Sequence, residues 1–363
     1  MVKILPSLPK RKRANPPRAR VIYNPTSGNE TMKQHLVEVL DCIESLGYET
    51  SAFATTAEPH SALNEAYRAG RTNFELIVVC GGDGTINEVI SGIAPLRVRP
   101  KVAIIPAGTT NDYARALKIP RNDVAGALEI IKQQETFKID IGRANDSYFI
   151  NIAAGGFLSD VTYEVPSQLK TIFGHLAYLA KGIEFAPRIK PVNLRVQYDG
   201  GEFNGKASMF FCALTNSVGG FEKIVPDATL DDGKFSLIIV KTSNVFKIVN
   251  LLLQLINTGN HVNDPEVLYV KTRHVTVAVE GEDQMKVNLD GEYGGTTPAT
   301  FTNLMQHIEI FANVAEIHMD KIVGIGYHDV VNISEDEKYD EMRYEIATEY
   351  LRLEEEIFGK EQD

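Results

Sequence analysis

In the first third of the chain, short apolar runs alternate with stretches whose apolar positions recur every three or four residues. Residues 20–23 form an apolar run that ends in Asn24-Pro25, a turn signal. Between 31 and 46, Leu36, Val39, Leu40, Ile43 and Leu46 fall on one helical face, and Gly47 supplies the stop. Residues 48–55 alternate as a strand does, and 59–69 suit a helix closed by Gly70. Residues 76–80 are continuously apolar and end in Gly81-Gly82; 85–93 read as helix; 102–105 form another apolar run before Pro106-Ala107-Gly108. Strands apolar on both faces, spaced by helices, predict a parallel sheet covered on both sides.

The pattern changes near residue 137. Strand character then recurs at 137–141, 148–152, 193–198, 206–215, 234–240, 275–279, 285–289 and 307–311, with Asp199-Gly200-Gly201 and Asp231-Asp232-Gly233 as turns. Only 169–185 and 245–256 read as helices, so this part is predicted to be a mostly antiparallel β domain. Beyond Phe311 the chain turns acidic. Ser334 and Glu337 frame a capping box, and Met342, Ile346, Tyr350, Leu353 and Ile357 form one helical stripe. That stripe fits a helix docked on its own domain or a partner surface, a homodimer among the options.

Charge sharpens the picture by region. The formal net charge is −11, yet residues 1–20 carry seven Lys/Arg and no acid, while 316–363 carry 15 Asp/Glu against five Lys/Arg. The global balance argues against nucleic acid and against tight adsorption on anionic lipid. Local basic segments still act within a Debye length of roughly 8 Å. Cys42, Cys80 and Cys212 form no C-x-x-C pair, which favours a reducing cytosol. The best apolar run, 251–256, is interrupted by Gln254 and falls far short of the roughly 20 residues a span needs. No apolar segment follows the basic start, so no signal peptide is expected. The eight histidines show no zinc-ligand spacing and no G-x-S-x-G occurs, so neither zinc nor a covalent serine intermediate is expected.

The strongest chemical signal is Gly81-Gly82-Asp83-Gly84-Thr85, directly after an apolar strand. Its glycines let the backbone approach phosphate oxygens, and the helix behind it aims its first N–H groups at the same place. It matches neither the dinucleotide fingerprint nor the Walker loop. Asn24-Pro25-Thr26-Ser27-Gly28 and Gly108-Thr109-Thr110-Asn111-Asp112 follow neighbouring strands. The carboxyl ends of parallel strands line one crevice, where such folds bind ligands. Each loop alone is compatible with an ordinary turn. Leu289-Asp290-Gly291-Glu292 follows an alternating strand, so 290 and 292 point the same way if that strand continues. Phosphoryl transfer to an alcohol needs a base for the hydroxyl proton and a cation for the developing charge.

Taken together, Asn24–Gly28, Gly81–Thr85, Gly108–Asp112, 217–233 and 289–294 resemble the diacylglycerol kinase catalytic-domain superfamily, over roughly residues 18–315. The likeness is strongest to the bacterial soluble diacylglycerol kinases. It implies a lipid-kinase/NAD-kinase-like pair of domains with the active site between them. The implied division is a basic tail (1–17), an ATP-binding α/β domain with a parallel sheet (18–136), a β-sandwich lipid-substrate domain (137–300), a last strand returning to the first domain (301–315) and the acidic extension (316–363).

By position the resemblance assigns ATP contacts to Asn24, Pro25, Thr26, Ser27, Gly28, Thr55, Gly81, Gly82, Asp83, Gly84, Thr85, Ile86, Asn87 and Thr109, with Asp83 and Asp112 organising the nucleotide's Mg²⁺ or orienting loops. It makes Glu292 the proton acceptor, with Asp290 positioning it or joining a water–metal network. It places a structural Mg²⁺ on the Asp232 carboxylate and the backbone carbonyls of Thr229 and Lys234. The implied reaction is phosphorylation of membrane diacylglycerol to phosphatidic acid by a cytoplasmic protein peripheral to the inner face of the membrane. Residues 165–190, which combine aliphatic and aromatic residues with Lys170, Lys181, Arg188 and Lys190, are the candidate contact, with 1–20 next. Alternatives are a kinase for another lipid, such as a sphingoid base, and a noncatalytic lipid- or nucleotide-binding homologue.

Overall fold

The computed structural model describes residues 16–27, 31–156, 191–216, 225, 227–242, 244, 247–248, 250–251, 254, 260–281 and 284–323. Gly28, the predicted helix 169–185, the segment 165–190, most of 245–256 and the stripe at 342–357 lie outside the described residues.

The first strands are β1 (Arg18–Tyr23), β2 (Glu49–Ala54), β3 (Leu76–Gly81) and β4 (Lys101–Pro106). They lie in the order β2-β1-β3-β4 and every pair is parallel. Every residue of β3 is buried, as its unbroken apolar sequence requires of a central strand. Helices α1 (Thr31–Ser45), α2 (Ser61–Arg71) and α3 (Asp83–Ile93) make the crossovers. The step from β1 to β2 and the step from β2 to β3 run in opposite directions across the sheet. Right-handed crossovers therefore put α1 and α2 on opposite faces. Accordingly α2 packs on α3, and α1 packs on α5 (Val124–Gln133), which follows the short α4 (Asp112–Ala116). Val21, Ile77, Val79, Ile104, Ile86 and Ile90 meet in the resulting core.

The remaining strands are β5 (Thr136–Ala144), β6 (Ser147–Phe149), β7 (Ile152–Gly156), β8 (Val192–Tyr198), β9 (Gly201–Ala207), β10 (Met209–Ala213), β11 (Phe235–Val240), β12 (Val267–Thr272), β13 (His274–Val279), β14 (Lys286–Leu289), β15 (Glu292–Thr296) and β16 (Ala299–Phe311), before a last described helix, α6 (Val314–Val323). A six-stranded sheet runs β12-β11-β10-β7-β14-β15, antiparallel throughout. It faces strands β8, β13 and β16, which continue the first sheet through β16 into ten strands. Phe149, Phe210, Phe235 and Phe301 fill the space between; the Phe149 and Phe235 rings stack with centroids 5.6 Å apart, and Phe301 meets Phe210 edge-on at 5.8 Å. The molecule is thus an α/β unit with a parallel sheet joined to an antiparallel β-sandwich.

Several boundaries differ from the pattern. The predicted strand 206–215 is two strands in different sheets, because the chain switches sheets at Ser208, whose N–H donates to the Val240 carbonyl at 2.9 Å. Likewise 148–152 divides into β6 and β7. The pattern does not predict α4, α5, β12 or β15, and it foresees only the last third of β16.

Candidate active site

Strand register fixes the first part of the site. Tyr23 lies opposite both Ala54 and Cys80, and Gly81 lies opposite Pro106, so Asn24, Thr55, Gly82 and Gly108 stand at one edge of the sheet. Asn24 donates its N–H to the Cys80 carbonyl at 3.0 Å, and its Oδ1 accepts the Thr26 N–H at 3.0 Å and the Thr26 hydroxyl at 2.9 Å. This Asx turn folds Pro25 and Thr26 back over the strand end, and Ser27 closes on the Asn24 carbonyl at 3.3 Å. Thr55 is tied by its N–H to the Tyr23 carbonyl at 2.9 Å.

The Gly82 and Gly108 loops touch backbone to backbone. A Cβ on Gly108 would lie 2.5 Å from the Gly82 Cα, so only glycine closes this gap. The helix α3 begins at Asp83, two residues earlier than the pattern predicts, so Asp83, Gly84 and Thr85 form its first turn. Ile86 is wholly buried, which leaves only its backbone for a ligand, whereas Thr109 is exposed on the facing loop.

Acids then gather behind this edge. Asp83 Oδ1 and Oδ2 accept the backbone N–H groups of Tyr113 (3.1 Å) and Asp112 (3.2 Å), so Asp83 caps α4 and locks the 108–112 loop to the first turn of α3. Burial, with the facing carboxylates of Asp112 and Asp290 behind it, pushes the Asp83 carboxyl up to about 6.

Asp290 and Gly291 have φ of 51° and 97° and form the two-residue turn between β14 and β15. The strand therefore does not continue through 290, and Asp290 and Glu292 do not share a face. Asp290 points inward and accepts four N–H donors: the Asn87 amide at 2.6 Å and the backbones of Ile150, Asn151 and Ile152 at 2.6, 2.9 and 2.8 Å. These bonds explain why 148–152 is not one strand: its last three N–H groups turn toward a carboxylate. Burial pushes the Asp290 carboxyl up from the ordinary range, and the four donors pull it back. Glu292, paired with Leu289 across the turn, is exposed.

The third group surrounds the turn 229–234. Asp232 Oδ1 accepts the Lys234 N–H at 2.9 Å. Beneath it lies Asp140, 3% exposed, which the motifs did not single out. Asp140 accepts the N–H groups of Gly233 (2.6 Å) and Gln306 (2.7 Å), and its own N–H donates to the Leu230 carbonyl (2.7 Å). The one signal was an acid between Ile139 and Ile141 in an apolar strand.

Both implied cation sites fit the residues present. Among the described residues no cluster of three His, Cys, Asp or Glu side chains could hold an ion by itself. Mg²⁺ keeps several waters and needs few carboxylates, so Asp83 and Asp112 suit contact through water or phosphate. Their mutual repulsion, visible in Asp83, is what a cation would relieve. At the turn, the hydroxyl oxygen of Thr229, three residues before Asp232 in sequence, is buried without a hydrogen-bond partner, a spare hard donor.

Loops at the carboxyl edge of a parallel sheet, tied through Asp290 to the β14–β15 hairpin of a β-sandwich, give the two-domain arrangement of a lipid-kinase-like fold. Residues 18–144 match the diacylglycerol kinase catalytic domain, and 154–312 match the YegS C-terminal NAD kinase beta sandwich-like domain. The chain is 50% identical over 295 residues to the diacylglycerol kinases of Staphylococcus aureus strains JH9 and Newman, covering 81% of this chain and 92% of theirs. A crystal structure of a diacylglycerol kinase from Bacillus anthracis str. Sterne shares the fold, with a TM-score of 0.65 at 22% identity over 84% of this chain and 99% of that one. The chain belongs to the diacylglycerol kinase family, and it is a kinase.

Proposed function

We propose that this kinase transfers the γ-phosphoryl group of ATP to the free hydroxyl of diacylglycerol, yielding phosphatidic acid and ADP. The observation that carries the reading is the Asp290 bridge. It ties the amide of Asn87, on the helix of the Gly81–Thr85 loop, to the turn whose next side chain but one is Glu292. Donor and acceptor groups are thereby linked by one carboxylate.

In this mechanism Asn24–Ser27, Thr55, Gly81–Asn87 and Thr109 surround the nucleotide, the glycines offering backbone N–H groups to phosphate oxygens. Mg²⁺, when bound near Asp83 and Asp112, supplies neutralisation of the charge that develops on the phosphates. Glu292 accepts the hydroxyl proton as the new oxygen–phosphorus bond forms and the bond to ADP breaks. Asp290 is a positioning residue, since its oxygens are already occupied by N–H donors. The turn at Asp232, with Thr229 and Lys234, holds a second Mg²⁺ in a structural role.

Diacylglycerol resides in the bilayer, so the enzyme meets it by reversible surface contact, with Lys170 and Lys181 the sequence-based candidates. No helix among the described residues is long and apolar enough to cross a membrane. The test is incubation with labelled ATP, Mg²⁺ and micelles of diacylglycerol, sphingosine or ceramide. Label in phosphatidic acid is expected. Label in another lipid alone would overturn the substrate, and label in none would favour a noncatalytic homologue.

A further inference from the structure

The turn 227–234 is crowded with acid, and one lysine reaches into it from a neighbouring strand. Lys271 on β12 lies opposite Ser236 on β11. Its Nζ donates to the Asp227 carbonyl at 3.0 Å and lies 3.7 Å from Asp227 Oδ1 and 3.9 Å from Asp232 Oδ2. The side chain is 22% exposed, so these contacts are only partly screened. Tyr269, two residues earlier on the same face of β12, bonds Asp227 through its hydroxyl and also reaches the Ser236 hydroxyl at 3.1 Å. Asp232 Oδ1 is committed to the Lys234 N–H, so Oδ2 is the oxygen that faces the ammonium.

We infer that Lys271 is a resident counter-cation: its ammonium holds the 227–234 turn together when no divalent ion is bound, and it weakens binding of that ion at Asp232 by repulsion. The inference rests on the reading of Asp232 as a cation site. Two positive charges about 4 Å apart, one of them divalent, repel enough in water to shift an equilibrium by about thirtyfold, and salt screening brings this to about tenfold. The lysine thus sets the Mg²⁺ concentration at which the turn exchanges one cation for the other.

The test follows the unfolding midpoint of the full chain by circular dichroism, first in EDTA and then along a Mg²⁺ titration. Lys271→Met should unfold earlier than wild type in EDTA and recover as Mg²⁺ rises, with an apparent Mg²⁺ affinity about tenfold tighter. Lys271→Arg keeps the charge and should stay within about twofold of wild type. If the Met variant does not fold, Lys271→Gln makes the same comparison. A deficit equal at every Mg²⁺ concentration would make Lys271 a purely structural residue and overturn the proposal. Asp232→Asn separates the two readings. It should remove the Mg²⁺ response of this site; if it leaves the whole response intact, the cation site itself falls and the role of Lys271 with it. If Asp232→Asn removes the response but Lys271→Met binds Mg²⁺ no tighter than wild type, only the lysine proposal falls.

Discussion

Asp290 and Glu292 stand two residues apart in opposite environments, which suit them to different work in the proposed reaction. A carboxylate withdrawn from water is costly unless donors replace the solvent. Asp290 has four such donors, from helix α3 and from the link between β6 and β7 with the first residue of β7. It has no oxygen to spare for a proton in transit. Glu292 is exposed beside it and free to meet a substrate hydroxyl. Glu292→Gln, which keeps the shape and removes the basic oxygen, should lower kcat by about 10²-fold or more while ATP affinity stays unchanged. Steady-state kinetics with a separate nucleotide-binding titration check this, and near-normal turnover would remove Glu292 from the role. Asp290→Asn has a different signature. Its amide NH2 would replace an oxygen that now accepts two N–H groups, so stability should fall by about 3 kcal/mol along with activity, measured as a shift in urea midpoint. A variant that lost activity at unchanged stability would mean that Asp290 acts in the chemistry directly.

At the scale of elements, the loops at the carboxyl edge of the parallel sheet were legible because their determinants are local. Gly, Asn and Pro after an apolar run bend the chain whatever lies elsewhere. The fit between the Gly82 and Gly108 loops converts that into a test. Gly108→Ala would drive a Cβ to 2.5 Å from the Gly82 Cα and should weaken ATP binding at least tenfold in a chain that still folds, read by nucleotide titration and circular dichroism. What the sequence hid was non-local. The division of 206–215 leaves no mark in the apolar pattern, since Ala207 from one sheet and Phe210 and Cys212 from the other line the same core. Asp140 was hidden for the same reason: the groups it bonds lie 93 and 166 residues away.

The packing of α2 on β1 supplies a pH-dependent case. Glu65 is 6% exposed, and although burial alone would raise its pKa, hydrogen bonds from Arg68 and Arg20 hold it below the ordinary carboxylate value. A depressed pKa contributes stability above the unfolded value and loses it as pH falls through the folded one. Glu65→Gln should therefore cost about 3 kcal/mol at pH 7. The gap to wild type should narrow below about pH 4, as wild-type Glu65 takes up its proton. Denaturant melts at pH 7 and pH 3.5 make the comparison, and a gap independent of pH would assign the cost to packing.

For the whole molecule, the decisive element is β16. Its first half pairs with β13 and puts Phe301 in the sandwich core, its second half pairs with β4 and puts Ile308 and Ile310 in the α/β core, and β5 runs alongside both halves. Between them, at Leu304–Ile308, the register shifts, and Gln306 takes a left-handed φ of 49°. This irregularity lets one strand serve two differently oriented bodies, and Asp140 stabilises it by accepting the Gln306 N–H while also holding Gly233 of the acidic turn. Neither core can release β16 without stripping the other of a strand. The described fold should therefore unfold in one transition, with far-ultraviolet circular dichroism and tyrosine fluorescence coincident in urea. Asp140→Ala removes the acceptor of the buried Gly233 N–H and of the part-buried Gln306 N–H and should lower stability by about 2–5 kcal/mol. It should also separate the two probes, because the joint between the cores is what it breaks. Separate transitions already present in wild type would show that the shared strand does not couple the cores; a lowered midpoint with the probes still coincident would show that packing along β16, rather than Asp140, does the coupling.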